Sequence, residues 1–252
     1  MNTDSNHYIL GIIPARWAST RFPGKPLHPI AGKALIQRVW ERCAECSMLD
    51  KIVVATDDER ILAFCQQMGA EVVMTSADHP TGTDRIAEAA AQFPQATHLI
   101  NIQGDEPLIA PSLIDELAQA MVDDPALEMA TAANPIDDAD LMQDPNVVKC
   151  VLKQNHEALY FSRSPLPYKR SSSPELVCFR HKGIYAYNKN FLNQFVQWPP
   201  SPLELAESLE QLRALENNAR IKVIITDDLS GGIDTPEQAA ELEHVLLSQS
   251  NS

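Results

Sequence analysis

The chain is short of positive charge, cysteine and glycine, and it has no long apolar run. Its 20 Lys and Arg stand against 34 Asp and Glu, a formal net charge of −14. That balance argues against the broad basic face needed to grip nucleic acid or an anionic membrane. No stretch approaches the roughly 18 apolar residues of a membrane span. The opening MNTDSNHY lacks a basic segment followed by an apolar one, so a soluble, cytoplasmic protein is expected. Five cysteines (Cys43, Cys46, Cys65, Cys150, Cys178) are few and odd in number, which fits a reducing compartment better than a disulfide framework. Cys43 and Cys46 form a C-x-x-C, but no second pair accompanies them and they fall late in a helical pattern, so they read as small core residues. Neither G-x-x-x-x-G-K-[ST] nor G-x-G-x-x-G occurs, which removes the Walker loop and the dinucleotide turn.

Against this acidic background, one segment stands out. From Pro14 to Trp40 there are five cations (Arg16, Arg21, Lys25, Lys33, Arg38) and no acid. IIPARWASTRFPGK follows a short apolar run, YILGIIPA, that reads as a buried strand. Arg16, Arg21 and Lys25 recur among Ser19, Thr20 and Gly24, so cations, hydroxyls and backbone N–H groups can surround one polyanion, with a triphosphate the obvious candidate. A solvated basic loop is the bland alternative.

Buried-strand runs (8–15, 51–58, 71–75, 97–103) alternate with helical patterns (34–46, 59–69, 84–93, 112–121). That cadence predicts an α/β fold with a doubly wound, mostly parallel sheet. EMATAAN, VVKCVLK and CFRHKGIYAYN read as further strands, SRSPLPYKRSSSPE as a flexible loop, SPLELAESLEQLRALE as one helix, IKVIIT as a strand, and TPEQ onward as a final helix. The expectation is one domain spanning 1–252 with a β-rich excursion at about 140–190, the kind of arm that builds a dimer interface.

Ligands of an open parallel sheet bind outside the carboxyl ends of its strands. Asp105 of NIQGDEP falls just past a strand, on the same edge as the basic loop, although Asp105 and Glu106 also suit an ordinary polar turn. In GGIDTPEQ, Thr235 and Gln238 make a T-x-x-Q capping box with Pro236 at the first helical position, which leaves Asp234 free, while Gly231 and Gly232 allow close backbone approach. Phosphoryl chemistry needs a divalent metal beside its cations, and Mg²⁺ suits two carboxylates plus substrate phosphates.

PARWASTRFPGKPL, HPTGTDRIAEA, NIQGDEPLI, DPNVVKCV, LYFSRSPLP, HKGIYAY, SPLELAESLEQLR and GIDTPE occur in an order that resembles the 3-deoxy-manno-octulosonate cytidylyltransferases, the CMP-Kdo synthetases, over nearly the whole chain. The resemblance implies a nucleotide-diphospho-sugar transferase-like fold, a homodimer, and a reaction in which CTP and Kdo give CMP-Kdo and pyrophosphate with Mg²⁺, for lipopolysaccharide. It implies that Arg16 and Lys25 face the CTP phosphates with Arg21 supporting the loop, that Pro14 and Ala15 lie against the nucleotide, and that Thr83 and Arg85 hold cytidine. Asp105 and Asp234 would bind metal; Gln103, Arg163, His181, Tyr185, Glu204, Glu207 and Gln211 would bind the sugar. In a single helix Glu204, Glu207 and Gln211 would share a face at i, i+3 and i+7, opposite Leu205, Leu209 and Leu212. An ordinary amphipathic surface helix gives the same pattern, and His181 and Tyr185 also suit a strand's core face. Lys182 stands where the family pattern leads one to expect an apolar residue. Another sugar acid as acceptor, such as 8-amino-Kdo or a sialate, and a noncatalytic nucleotide-binding protein are the alternatives.

Overall fold

A computed structural model describes residues 7–18, 21–168, 170 and 176–250. Ser19, Thr20 and most of KRSSSPE lie outside the described residues, so the expectations placed on them are not taken further. The chain forms two compact units, Met1–Asp115 with Ser230–Ser252, and Glu116–Leu229.

In the first unit, β1 (Ile9–Ala15), β4 (Lys51–Thr56), β5 (Glu71–Met74) and β6 (His98–Asn101) form parallel ladders in the order β6-β1-β4-β5. Leu10, Ile12, Ile13, Val53 and Val54 are fully buried, as strands covered on both faces require. A small hairpin of β2 (Pro29–Ile30) and β3 (Lys33–Ala34), unforeseen because each strand is two residues long, precedes α1 (Leu35–Ala44). The helix α2 (Glu59–Gln67) starts on Asp58, whose carboxylate accepts the Arg60 N–H, and stops at Gly69, which takes φ 78°. Next come α3 (Gly82–Ala91), capped by Thr81, and α9 (Pro236–Ser250); α4 (Pro111–Asp123) begins in this unit and ends in the second.

In the second unit, β7 (Met129–Ile136) runs parallel to β11 (Ile221–Ile225) and antiparallel to β10 (Cys178–Asn188); β8 (Lys149–Leu152) pairs antiparallel with β10 and with β9 (Ala158–Ser162). The excursion is therefore β-rich, with β9 an added strand. Short helices α5 (Ala139–Gln143) and α6 (Lys189–Phe195) fill the connections. The expected helix from Ser201 to Glu216 is corrected to two, α7 (Pro202–Glu207) and α8 (Gln211–Glu216). Ser208 adopts the left-handed φ 53°, ψ 50° between them, so the i, i+3, i+7 face does not exist as drawn. Among the described residues no helix is long and apolar enough to cross a membrane.

The turn after β6 approaches β1 closely at Gly104. A Cβ there would stand 2.5 Å from the carbonyl oxygen of Pro14, so backbone would have to move. Gly104→Ala is expected to lower unfolding stability by about 2–3 kcal/mol, measured by urea denaturation, and to weaken nucleotide binding by displacing Asp105.

Candidate active site

The carboxyl ends of β1 and β6 lie side by side, and the segments leaving them meet the chain entering α9. The decisive link is main-chain: Ile233 N–H donates to the Asp105 carbonyl at 2.8 Å. Gly232 lies against the Asp105 side chain, its missing Cβ 3.4 Å from Oδ1. Gln238 Oε1 accepts the N–H groups of Asp234 and Thr235, and Thr235 Oγ1 accepts that of Gln238. The capping box thus forms without the Asp234 carboxylate, as the sequence suggests.

That carboxylate turns to the basic segment. Lys25 Nζ donates to Asp105 Oδ2 at 2.7 Å and to Asp234 Oδ1 at 3.4 Å, and Arg21 lies 3.1 Å from Asp234 Oδ1. These groups line a cavity of about 560 Å³ together with Pro14, Ala15, Arg16, Gly82, Arg85, Gln103 and Gly104. Four cations and two carboxylates on one cavity suit a polyanion that arrives with a divalent cation. The other two cations of the basic segment are spent on structure: Lys33 pairs with Glu41, and Arg38 donates to the carbonyls of Ile30 and Ala31. Phe22 fixes the segment from below, in a small core with Ile30, Leu35, Ile233, Ala239 and Leu242.

Arg85 is fully buried apart from the cavity. Its Nη1 donates to Thr75 Oγ1 and its Nη2 to Asp57 Oδ2 at 2.6 Å. Asp57, directly after the Thr56 that ends β4, escaped the sequence reading; an acid at that sheet edge is the signal that could have found it. Gly82, at the N-terminus of α3, also lines the cavity, where N–H groups and helix dipole favour an anionic or carbonyl oxygen. Thr83 is buried and lies outside the cavity lining.

Of the residues expected at the sugar, Gln103 lines this cavity and the other six belong to the second unit. Glu207 accepts from Ser162 Oγ at 2.6 Å and from the Arg163 N–H at 2.9 Å. Arg163 Nε donates to the Glu207 carbonyl and Nη1 to that of Pro145, so its guanidinium is held by neutral oxygens. Glu204 accepts from Ser201 N–H in a capping box and lies 3.0 Å from Arg213 Nε. Gln211 is buried, and among the described residues its Nε2 has no hydrogen-bond partner. His181 lies 5.0 Å from the Phe161 ring and 5.4 Å from that of Tyr185. Thr131 has one hydroxyl hydrogen; given to the Ile184 carbonyl at 2.8 Å, it leaves Oγ1 to accept from His181 Nε2 at 2.9 Å, which makes Nδ1 the acceptor. Burial pushes the imidazole down to about 3 and the Tyr185 phenol upward, so both are neutral near pH 7. Lys182, the departure from an apolar position, is buried and answered by Asp228, 3.6 Å from its Nζ.

Residues 10–221 match the family Cytidylyltransferase. A 3-deoxy-manno-octulosonate cytidylyltransferase of Bdellovibrio bacteriovorus is 51% identical over 245 residues, 96% of this chain and 98% of its own. One of Syntrophotalea carbinolica is 49% identical, covering 93% and 97%. The chain belongs to the 3-deoxy-manno-octulosonate cytidylyltransferases. A solved structure of a CMP:2-keto-3-deoxy-manno-octonic acid synthetase complexed with CTP superimposes with TM-score 0.92 at 40% identity, over 96% of this chain and 99% of that one. A 4-diphosphocytidyl-2C-methyl-D-erythritol synthase from Anaerococcus prevotii shares the fold at 12% identity and TM-score 0.65.

The neutral His181 ties stability to pH. Its folded value lies below the ordinary 6.5, so its stabilising contribution is complete above about pH 6.5 and falls progressively toward pH 3 as the unfolded chain takes up the proton. Denaturation midpoints of the wild type should therefore fall more between pH 7 and 5 than those of His181→Asn.

Proposed function

We infer that this chain transfers CMP from CTP to the anomeric hydroxyl of 3-deoxy-D-manno-octulosonate (Kdo), releasing pyrophosphate and supplying CMP-Kdo for lipopolysaccharide. The observation that carries the reading is the Lys25 ammonium between Asp105 and Asp234, in a cation-lined cavity of a chain about half identical to enzymes of that name.

Arg16, Arg21 and Lys25 bind the polyphosphate and fix its direction. The sugar hydroxyl oxygen attacks the α-phosphorus and gives up its proton to water; its bond to phosphorus forms as the bond to the bridging oxygen of the β-phosphate breaks, and that electron pair leaves on pyrophosphate. The cations hold charge already present and charge that develops, so catalysis is largely positioning and electrostatics. Buried Arg85 and the Gly82 N-terminus orient the nucleoside. Arg163 offers a charge to the Kdo carboxylate; His181, Tyr185, Glu204, Glu207 and Gln211 of the same unit present polar groups to its hydroxyls, and a Gln211 Nε2 without a partner among the described residues favours such a ligand.

Asp105 and Asp234 are the groups that would hold Mg²⁺. Among the described residues no three His, Cys, Asp or Glu gather into a metal cage, but Mg²⁺ keeps waters and takes one or two carboxylates with substrate phosphates. When bound, it supplies further neutralisation of phosphate charge. We also propose a cytoplasmic homodimer formed through the β-rich excursion, where Tyr168 is 88% exposed and Leu159, Leu176 and Val177 are exposed too.

Pyrophosphate release across a matrix of nucleotides and sugar acids tests the reaction: CTP with Kdo should exceed every other pair, and turnover of 8-amino-Kdo or a sialate in place of Kdo would overturn the acceptor. Asp105→Asn and Asp234→Asn should each lower kcat by roughly 10²–10³-fold with the fold intact by circular dichroism, and chelation of Mg²⁺ should stop turnover reversibly. For assembly, Val177→Asp is expected to shift a dimer toward monomer in sedimentation velocity.

A further inference from the structure

The basic turn has a support outside the cavity. Trp17 follows Arg16 directly, yet it does not line the cavity. Its indole instead meets the guanidinium of Arg60, whose Cζ lies 3.4 Å from the ring centroid. Arg60 is held there: Nε and Nη2 donate to the two oxygens of Asp58 at 2.9 and 2.6 Å. Trp17 also packs on Gly24, where a Cβ would stand 3.0 Å from Cζ2 and Cη2, and Gly24 adopts φ 71°. The Gly24 N–H donates to the Trp17 carbonyl at 3.1 Å.

Trp17 and Gly24 are thus tied to each other by one hydrogen bond and by the packing of one indole. Arg16 stands just before Trp17 and Lys25 just after Gly24. Arg60 faces solvent, its side chain 57% exposed, and is nonetheless held over this ring.

We propose that Arg60 is a positioning residue for the nucleotide: seated on Trp17 and fixed by Asp58, it holds Trp17 against Gly24 and so sets the adjoining Arg16 and Lys25 where they meet the phosphates. It touches neither substrate nor reacting atoms. It acts by removing freedom from Trp17 and Gly24 before the anion arrives, so its loss appears as weaker nucleotide affinity. A planar guanidinium and an aromatic face are both required, which separates this role from simple charge. The inference rests on the nucleotide reading above but not on the identity of the sugar.

The test is calorimetric titration of the intact chain with CTP and Mg²⁺, without sugar. Arg60→Ala and Trp17→Ala should each weaken CTP about 5- to 10-fold, the scale of a cation–π contact with its associated ordering. Trp17→Phe should recover most of the affinity, Arg60→Lys should fall between, and Trp17→Ala with Arg60→Ala together should be no weaker than the worse single change, because both remove one stack. In turnover, KM for CTP should rise by the same factor while KM for Kdo holds. Arg60→Ala within twofold of wild type, or losses that multiply in the double variant, would overturn the proposal. So would a fall in binding stoichiometry at unchanged affinity, which marks a merely structural role. A wild type that binds CTP but does not use Kdo would reject the acceptor and leave the stack standing; one that binds no CTP would overturn both.

Discussion

Lys25 places one ammonium 2.7 Å from Asp105 and 3.4 Å from Asp234, residues 80 and 209 positions away from it. Two carboxylates converging on one point repel by a few kcal/mol at the effective dielectric of a protein surface, on the order of 332/(εr). They stay together because a cation stands between them and because the Ile233 to Asp105 main-chain bond joins their segments whatever the side chains do. Removing the cation would leave the backbone holding an unfavourable pair; removing the backbone bond would leave the cation nothing to hold in register. The parallel sheet serves this arrangement by ending β1 and β6 at one edge, and Gly104 serves it by letting the second segment pass over the first.

The same logic explains why the charge anomaly of residues 14–40 is legible and yet only partly functional. Five cations without an acid look like a single anion site. Arg16, Arg21 and Lys25 reach the cavity, but Lys33 answers Glu41 and Arg38 satisfies carbonyls of the β2–β3 hairpin. Charge patterning reports that counter-charges must come from elsewhere; it does not distinguish a ligand from a distant acid or an orphan carbonyl. Asp234 could be picked out because a local rule, the T-x-x-Q box, accounts for its neighbours and not for it; Asp105 is marked only by its place past a strand end, where an ordinary polar turn is the alternative.

Where the reading failed, a local signal was missing or a tertiary term outweighed it. Strands β1, β4, β5 and β6 declare themselves by continuous apolar runs, whereas β9 lies in ALYFS, where Leu159 is exposed and Phe161, two residues on, is buried, so no alternation stands out. The 201–216 segment has helical periodicity throughout, but Ser208 turns left-handed, a conformation that disfavours any residue with a Cβ. What compensates there is the packing of Leu209 and Leu212, both buried, and the hold of Glu207 on Ser162 and Arg163. Two short helices let Glu207 serve β9 and still bury Gln211, which one straight helix with both on a single exposed face would not do.

Lys182 shows how far a family pattern carries into the chemistry of one chain. A lysine buried in β10 beside the His181 and Tyr185 pair would be expensive alone, since an unpaired ammonium out of water loses several kcal/mol of hydration. Asp228 lies 3.6 Å from it, and the Asp228 carbonyl in turn accepts from Asn134 Nδ2 at 2.9 Å. The departure is therefore absorbed by a partner on the segment leaving β11. On the other side of β10, His181 keeps its neutral form and its Thr131 bond. The strand alternation that separates the two side chains is what lets position 182 carry a charge while the face bearing His181 and Tyr185 keeps its neutral, aromatic surroundings.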